Sequence, residues 1–265
     1  MSFLRWLALQ VRLFFIALQF FTRMPTPAWV GFEPSWLQHS VRYFTAVGLL
    51  LGLILAALYG LLCAFFNPLL AVLLSGAAGL LLTGAFHEDG FADMCDGFGG
   101  AYTRERALEI MVDSRIGAFG AIGIFTLLAC KIGALSQFQP LQGMGAILLA
   151  HPLSRLASCS LIWRMQYVKG EGKAKPLAQQ MSHAEFACAA LFVLLPLALL
   201  WQSGIFSAPQ LLCALALVVL ATLEMARRML SKIGGYTGDC LGATQQVTEV
   251  CCYLGLLAHL PWCCE

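Results

Sequence analysis

Apolar residues run along this chain in long blocks, broken by short polar connections. Tyr43 to Phe66 carries no charge and ends at Asn67-Pro68, and Leu69 to Phe86 follows at once. Further apolar stretches are Ile116 to Phe138, Met144 to Trp163, Phe186 to Trp201, Gln210 to Leu223 and Val247 to Trp262. A helix needs about 20 residues to cross the hydrocarbon core, with about 17 as the lower limit. The last three stretches must therefore borrow flanking residues. The pattern predicts an all-α polytopic membrane protein with about seven transmembrane helices. In the first twenty residues Arg5, Arg12 and Gln19 recur at every seventh position, a polar stripe on an apolar helix. A signal peptide fits poorly, because Arg12 interrupts the apolar region and no small-residue cleavage site follows. The stripe instead suits an amphipathic helix lying in the interface over residues 1–27, closed by Met24-Pro25-Thr26-Pro27.

Composition agrees. The chain of 265 residues is 60% apolar and 11% charged, against about a quarter charged in soluble domains. This excludes disorder and collagen-like character. A net charge of +2 with no basic stripe excludes a nucleic-acid partner. The basic residues are more telling. Four (Arg5, Arg12, Arg23, Arg42) precede the first span, three (Arg104, Arg106, Arg115) lie between spans two and three, four (Arg164, Lys169, Lys173, Lys175) between four and five, and three (Arg227, Arg228, Lys232) between six and seven. The alternate connections carry none. Seven crossings with a cytoplasmic N-terminus satisfy the positive-inside rule. The expected organisation is one integral-membrane catalytic domain over 1–265, with cytoplasmic loops at 87–115, 164–185 and 226–246. The 11 cysteines are odd in number, irregularly spaced and mostly within apolar runs, which argues against a disulfide framework. Nothing assigns a role to Cys263 and Cys264.

Polar chemistry concentrates in one place. Seven of the 14 acidic residues fall between spans two and three. Asp89, Asp93 and Asp96 are spaced i, i+4, i+7, within about 60° of one another on a helix. Three carboxylates on one stripe repel unless a cation neutralises them, and oxygen ligands without His or Cys favour Mg²⁺ or Mn²⁺. A solvated acidic loop, or aspartates capping helices beside the glycines, is the plainer reading. Asp113 and Arg115 stand where span three enters the membrane; Arg115 suits a phosphate clamp or an interfacial anchor equally. A third element, Gly234-Gly235-Tyr236-Thr237-Gly238-Asp239, lies on the same side, where glycines let amides approach phosphate and Asp239 adds a metal or hydroxyl contact. An ordinary turn explains it nearly as well. Glu249, Lys131 and Arg155 are intramembrane ionisable groups and so functional candidates, with a Glu249–Arg155 pair the simpler account. Lys169, Lys173 and Lys175 either follow from topology alone or flank the entry of a substrate bearing a diphosphate.

The ordered combination of motifs resembles the cobalamin synthase family, the adenosylcobinamide-GDP ribazoletransferases. The likeness covers essentially the whole chain: Ala17-Leu18-Gln19-Phe20-Phe21-Thr22-Arg23-Met24-Pro25, Tyr43-Phe44 leading into Gly48, His87-x-Asp89-Gly90-Phe91-Ala92-Asp93, Asp113-Ser114-Arg115-Ile116-Gly117, and Gly234-Gly235-x-Thr237-Gly238-Asp239-x-Leu241-Gly242-Ala243. Glu88 and Phe91 stand where the family usually has leucine. The resemblance implies a Mg²⁺-dependent enzyme of the bacterial inner membrane, its active-site loops cytoplasmic. It would join adenosylcobinamide-GDP to α-ribazole or its 5′-phosphate and release GMP. On that reading Asp89, Asp93 and Asp96 hold the metal and, with Asp239, carry catalysis, while Asp113, Arg115, Gly235, Thr237 and Gly238 bind substrate. Besides the two substrates and the bilayer, a second copy of the chain is a further candidate partner. Two rivals stand beside this: a CDP-alcohol phosphotransferase, whose fuller motif has a fourth aspartate where Gly100 stands here, and a transporter using Lys131, Arg155 and Glu249 at mid-membrane.

Overall fold

The computed structural model describes residues 3–168 and 180–258; Lys169, Lys173, Lys175, Cys263 and Cys264 lie outside them. Among the described residues the fold is helical throughout, without a strand: α1 (Phe3–Phe21), α2 (Pro34–Ser40), α3 (Phe44–Cys63), α4 (Pro68–Thr83), α5 (Phe86–Gly100), α6 (Arg104–Met111), α7 (Ala118–Leu135), α8 (Pro140–Arg164), α9 (His183–Ser203), α10 (Ala208–Ile233) and α11 (Gly238–Leu257). The short apolar stretches lengthen as required, α9 and α10 taking residues from both flanks. The expected loop over 226–246 shrinks to 234–237, because α10 continues through Arg227, Arg228 and Lys232 and α11 starts at Gly238.

Six of the described helical segments are long and apolar enough to cross a membrane, and the bent pair α4–α5 adds a seventh. Two details differ from expectation. α1 reaches that length and hydropathy as well, although Arg5 is exposed and the Arg12 guanidinium lies over the Trp36 ring at 5.4 Å. α11 does not reach it, because Thr244, Gln245, Gln246, Thr248 and Glu249 lower its hydropathy; all five are buried. Hydropathy understates a central helix whose polar groups face other helices rather than lipid. α8 and α11 form this centre. The outer helices α7, α9 and α10 leave large apolar side chains exposed, as lipid-facing surfaces do.

A corner positions everything that follows. α4 ends at Gly84, and both Gly84 (φ +67°) and Ala85 (φ +56°) are left-handed. Two such residues in succession turn the chain sharply, so α5 leaves α4 at 88°. The two helices count as one candidate span only when taken together across this bend. Glycine takes this geometry without cost, whereas Ala85 pays roughly 1–2 kcal/mol for it.

Candidate active site

α5 crosses the start of α11 at close quarters. A Cβ at Gly90 would come within 2.9 Å of the Asp239 Cα, and one at Gly242 within 3.1 Å of the His87 carbonyl. Only glycine at both points lets the backbones approach so closely. The crossing carries Asp239 from α11 to the aspartate stripe of α5. Burial increases along that stripe: Asp89 is exposed, Asp93 half-buried and Asp96 buried.

The three aspartates therefore differ in what they do. Both Asp96 oxygens are engaged, Oδ2 accepting from the Gly117 amide at 2.7 Å and Oδ1 from the Gly120 amide at 2.8 Å. This carboxylate caps the N-terminus of α7, where orphan amides and the helix dipole favour negative charge. Asp93 is held between its neighbours. Burial first, then the charges of Asp89, Asp239 and Asp96, push its carboxyl up to about 7. Burial also raises the Asp239 carboxyl, against the hydroxyl of Thr237 at 3.3 Å, and the charge of Asp89 adds to the rise. Among the described residues no three His, Cys, Asp or Glu side chains converge as a ready-made metal cage.

The remaining sequence candidates fall around this crossing. Thr237 caps α11, its hydroxyl accepting from the Cys240 amide at 3.3 Å. A Cβ on Gly238 would meet nothing within 4 Å, so the first turn of α11 has free space beside it. Gly235 has a packing role: a Cβ there would collide with the Gln166 carbonyl, and the adjoining Tyr236 amide donates to that carbonyl at 3.0 Å. Arg115 and Asp113 form an exposed fork, Arg115 Nη2 to Asp113 Oδ2 at 2.6 Å, which holds the Asp113 carboxyl down at about 2. Arg115 lies two residues before Gly117, on the rim beside the Asp96 cap.

Behind the crossing lies a polar core that the sequence only hinted at. Glu249 pairs with Lys131 at 2.7 Å, not with Arg155, and accepts from the Tyr253 hydroxyl at 2.9 Å and from Gln245 Nε2 at 2.7 Å. Gln246 Nε2 donates to Glu88 Oε1 at 2.7 Å, linking this core to the residue before Asp89. Arg155 instead donates to the His151 carbonyl at 2.9 Å. Gln245, Glu249 and Tyr253 repeat every fourth residue, a polar stripe leading into the seventh apolar stretch that could have announced them.

Comparison with known proteins follows the same length of chain. The cobalamin-5-phosphate synthase family matches residues 13–257. An adenosylcobinamide-GDP ribazoletransferase of Shewanella frigidimarina is 43% identical, over 96% of this chain and 97% of its own length. One from Leptothrix cholodnii is 45% identical over 94% and 96%, and one from Leptospira biflexa 37% identical over 95% and 97%. No solved structure matches.

Proposed function

The chain belongs to the cobalamin-5-phosphate synthase family, and from that premise we propose that it is an adenosylcobinamide-GDP ribazoletransferase with its reaction centre at the α5–α11 crossing. Membership sets aside the phosphotransferase and transporter readings. The observation that carries the proposal is the close crossing that brings Asp239 to the Asp89–Asp93 stripe, where burial first and then the neighbouring carboxylates push the Asp93 carboxyl up to about 7.

In the reaction, a ribose hydroxyl of α-ribazole or its 5′-phosphate attacks the phosphorus linked to cobinamide. One O–P bond forms, the P–O bond to GMP breaks, and GMP departs with the electron pair. Mg²⁺, with Mn²⁺ as a substitute, is the cofactor of this reading; Asp89, Asp93 and Asp239 would hold it, and it would supply positive charge to the phosphoryl oxygens and leaving group. The donor set fits that ion: it is all carboxylate, and Mg²⁺ is usually held by one or two carboxylates plus substrate phosphate rather than by a complete protein cage. The hydroxyl proton passes to a carboxylate of the same group, of which Asp93 has the affinity closest to that of a base working near neutrality. The amides opening α11, at Gly238 and Asp239, offer a seat for phosphate beside Thr237. Arg115 clamps a diphosphate oxygen by exchanging it for Asp113. Asp96 keeps α5 and α7 in register rather than meeting substrate. The site faces the cytoplasm of a bacterial inner membrane, the side carrying the basic residues.

The test is turnover by detergent-purified protein given adenosylcobinamide-GDP, α-ribazole and Mg²⁺, read as GMP release and a complete corrinoid. Asp89→Asn and Asp93→Asn should each lose on the order of a thousandfold in kcat. Full activity in both, with Mg²⁺ dependence intact, refutes the metal assignment.

A further inference from the structure

A cavity of about 290 Å³ lies within the bundle, between α4 and α7, with α8 and α11 behind it. It starts at His87 and Glu88, immediately before Asp89, and reaches inward past Gln245 and Glu249 to Tyr253. Gln245 to Tyr253 spans eight residues of α11, about 12 Å at 1.5 Å per residue. Its walls are mostly apolar, among them Val72, Leu80, Leu128, Ile132 and Ile147, with Lys131 and His151 on the side of Glu249.

Its end nearest the aspartates is polar and unsatisfied. Both ring nitrogens of His87, Arg155 Nε and Glu88 Oε2 are buried atoms without a hydrogen-bond partner, and all three residues line the cavity. His87 is 6% exposed and Arg155 2%. Buried donors and acceptors left unpaired are costly, so such a cluster in a cavity marks a place where a ligand completes the bonding. A lipid chain would leave these atoms as they are. A ligand with an apolar flat body and several hydroxyls at one end would satisfy them, and the volume sits at the small end of ligand pockets, about 300–1,000 Å³. That description fits a nucleoside with an apolar fused aromatic base and excludes the much larger corrinoid.

We propose that this intramembrane cavity is the α-ribazole subsite, with the base between the apolar walls of α4, α7 and α8 and the ribose at His87, Glu88 and Arg155. The placement rests on the transferase reading above and deepens it. Glu88 at that end immediately precedes Asp89, which faces about 100° around α5, so the ribose hydroxyl reaches the aspartate group past the edge of α5 while the nucleotide-linked corrinoid approaches from the aqueous face. The two substrates then enter by different routes, the apolar nucleoside through the bundle.

Gly76 provides the test, since it lines the cavity and a Cβ there meets nothing within 4 Å. Gly76→Phe should fill the space without disturbing backbone. Gly133→Phe on α7, equally open and away from the cavity, is the matched control. Equilibrium binding of radiolabelled α-ribazole to protein in nanodiscs, without corrinoid or metal, should weaken at least tenfold in Gly76→Phe and stay within about twofold of wild type in Gly133→Phe. In turnover, Gly76→Phe should raise KM for α-ribazole at least tenfold and leave KM for adenosylcobinamide-GDP unchanged, which also certifies the fold. Wild-type turnover with unaltered α-ribazole binding and KM in Gly76→Phe overturns the subsite and leaves the transferase standing. Displacement of a co-purified lipid by the phenylalanine, with nucleoside binding intact, likewise overturns it. Failure of turnover in wild type counts against the transferase, and the binding arm still decides the cavity.

Discussion

Removing Asp96 should unfold the protein more easily than removing either of its companions on the stripe. The residue is 8% exposed and its carboxylate accepts two amides at the start of α7, from Gly117 at 2.7 Å and Gly120 at 2.8 Å. Bonds to a charged acceptor are each worth about 1.5–3 kcal/mol, and loss of an N-cap alone costs about 0.5–2 kcal/mol. The two descriptions overlap, so their sum overstates the loss. Asp96→Ala should therefore cost about 2–4 kcal/mol, leaving the Gly117 and Gly120 amides unpaired. Asp96→Asn keeps one acceptor but turns an NH₂ toward the second amide, at roughly half that cost. Asp89 is exposed, and Asp89→Asn should fall within about 0.5 kcal/mol of wild type. At about 2–4 °C per kcal/mol for a chain of this size, Asp96→Ala should melt roughly 5–15 °C lower while Asp89→Asn does not move. Thermal unfolding in one detergent, followed by tryptophan fluorescence, reads both. An Asp96→Ala protein melting within about 2 °C of wild type, yet as inactive as Asp89→Asn, would show that Asp96 serves the reaction directly and that the cap is dispensable.

Other outcomes are open to measurement. The raised Asp93 carboxyl means that the folded chain keeps a proton the unfolded chain has released between pH 3.8 and about 7; stability without metal should fall as pH rises through that window, and Asp93→Asn should flatten the slope. Divalent-ion affinity should climb over the same range, because the ion competes with that proton, and titration calorimetry at pH 6 and 8 would detect its absence. Gly90→Ala should push a methyl against the Asp239 backbone, costing about 1–3 kcal/mol and lowering kcat far more than Asp89→Asn lowers stability; an active, equally stable variant would contradict the close crossing. Reporters fused after Pro68, Pro140 or Ser207 should be periplasmic and those after Gly99 or Gly235 cytoplasmic, with a cytoplasmic signal at Ser207 removing α9 and α10 as a hairpin through the membrane.

Sequence alone determined the environment and the neighbourhood of the chemistry. Long uncharged runs can only be satisfied in lipid as helices, since each backbone amide must bond within its own segment. The alternation of basic and uncharged connections gives an expected order of crossings, which the reporter fusions test. Rare carboxylates crowded between two apolar stretches drew attention to Asp89, Asp93 and Asp96 because charge there is costly, and a separate glycine-rich element pointed to Asp239. The sequence treated Asp89, Asp93 and Asp96 alike, however, because spacing along a helix says which residues share a face and nothing about what that face meets. Only packing separated them, burying Asp96 against the amides of α7 and leaving Asp89 open. The partner of Glu249 was likewise undecidable from the chain, as Lys131 and Arg155 are both intramembrane cations and the choice depends on how α7 and α8 sit against α11. The left-handed pair Gly84-Ala85 carries no signal in a string of letters, since alanine ordinarily continues a helix. Yet that corner turns α5 by 88° from α4, and the small residues Gly90 and Gly242 then allow close backbone approach between segments some 150 residues apart. Short-range pattern is written into the chain because it is paid for locally, in hydrophobic burial and backbone hydrogen bonds. The proposed site lies where distant segments touch, and that contact is a property of the packed helices.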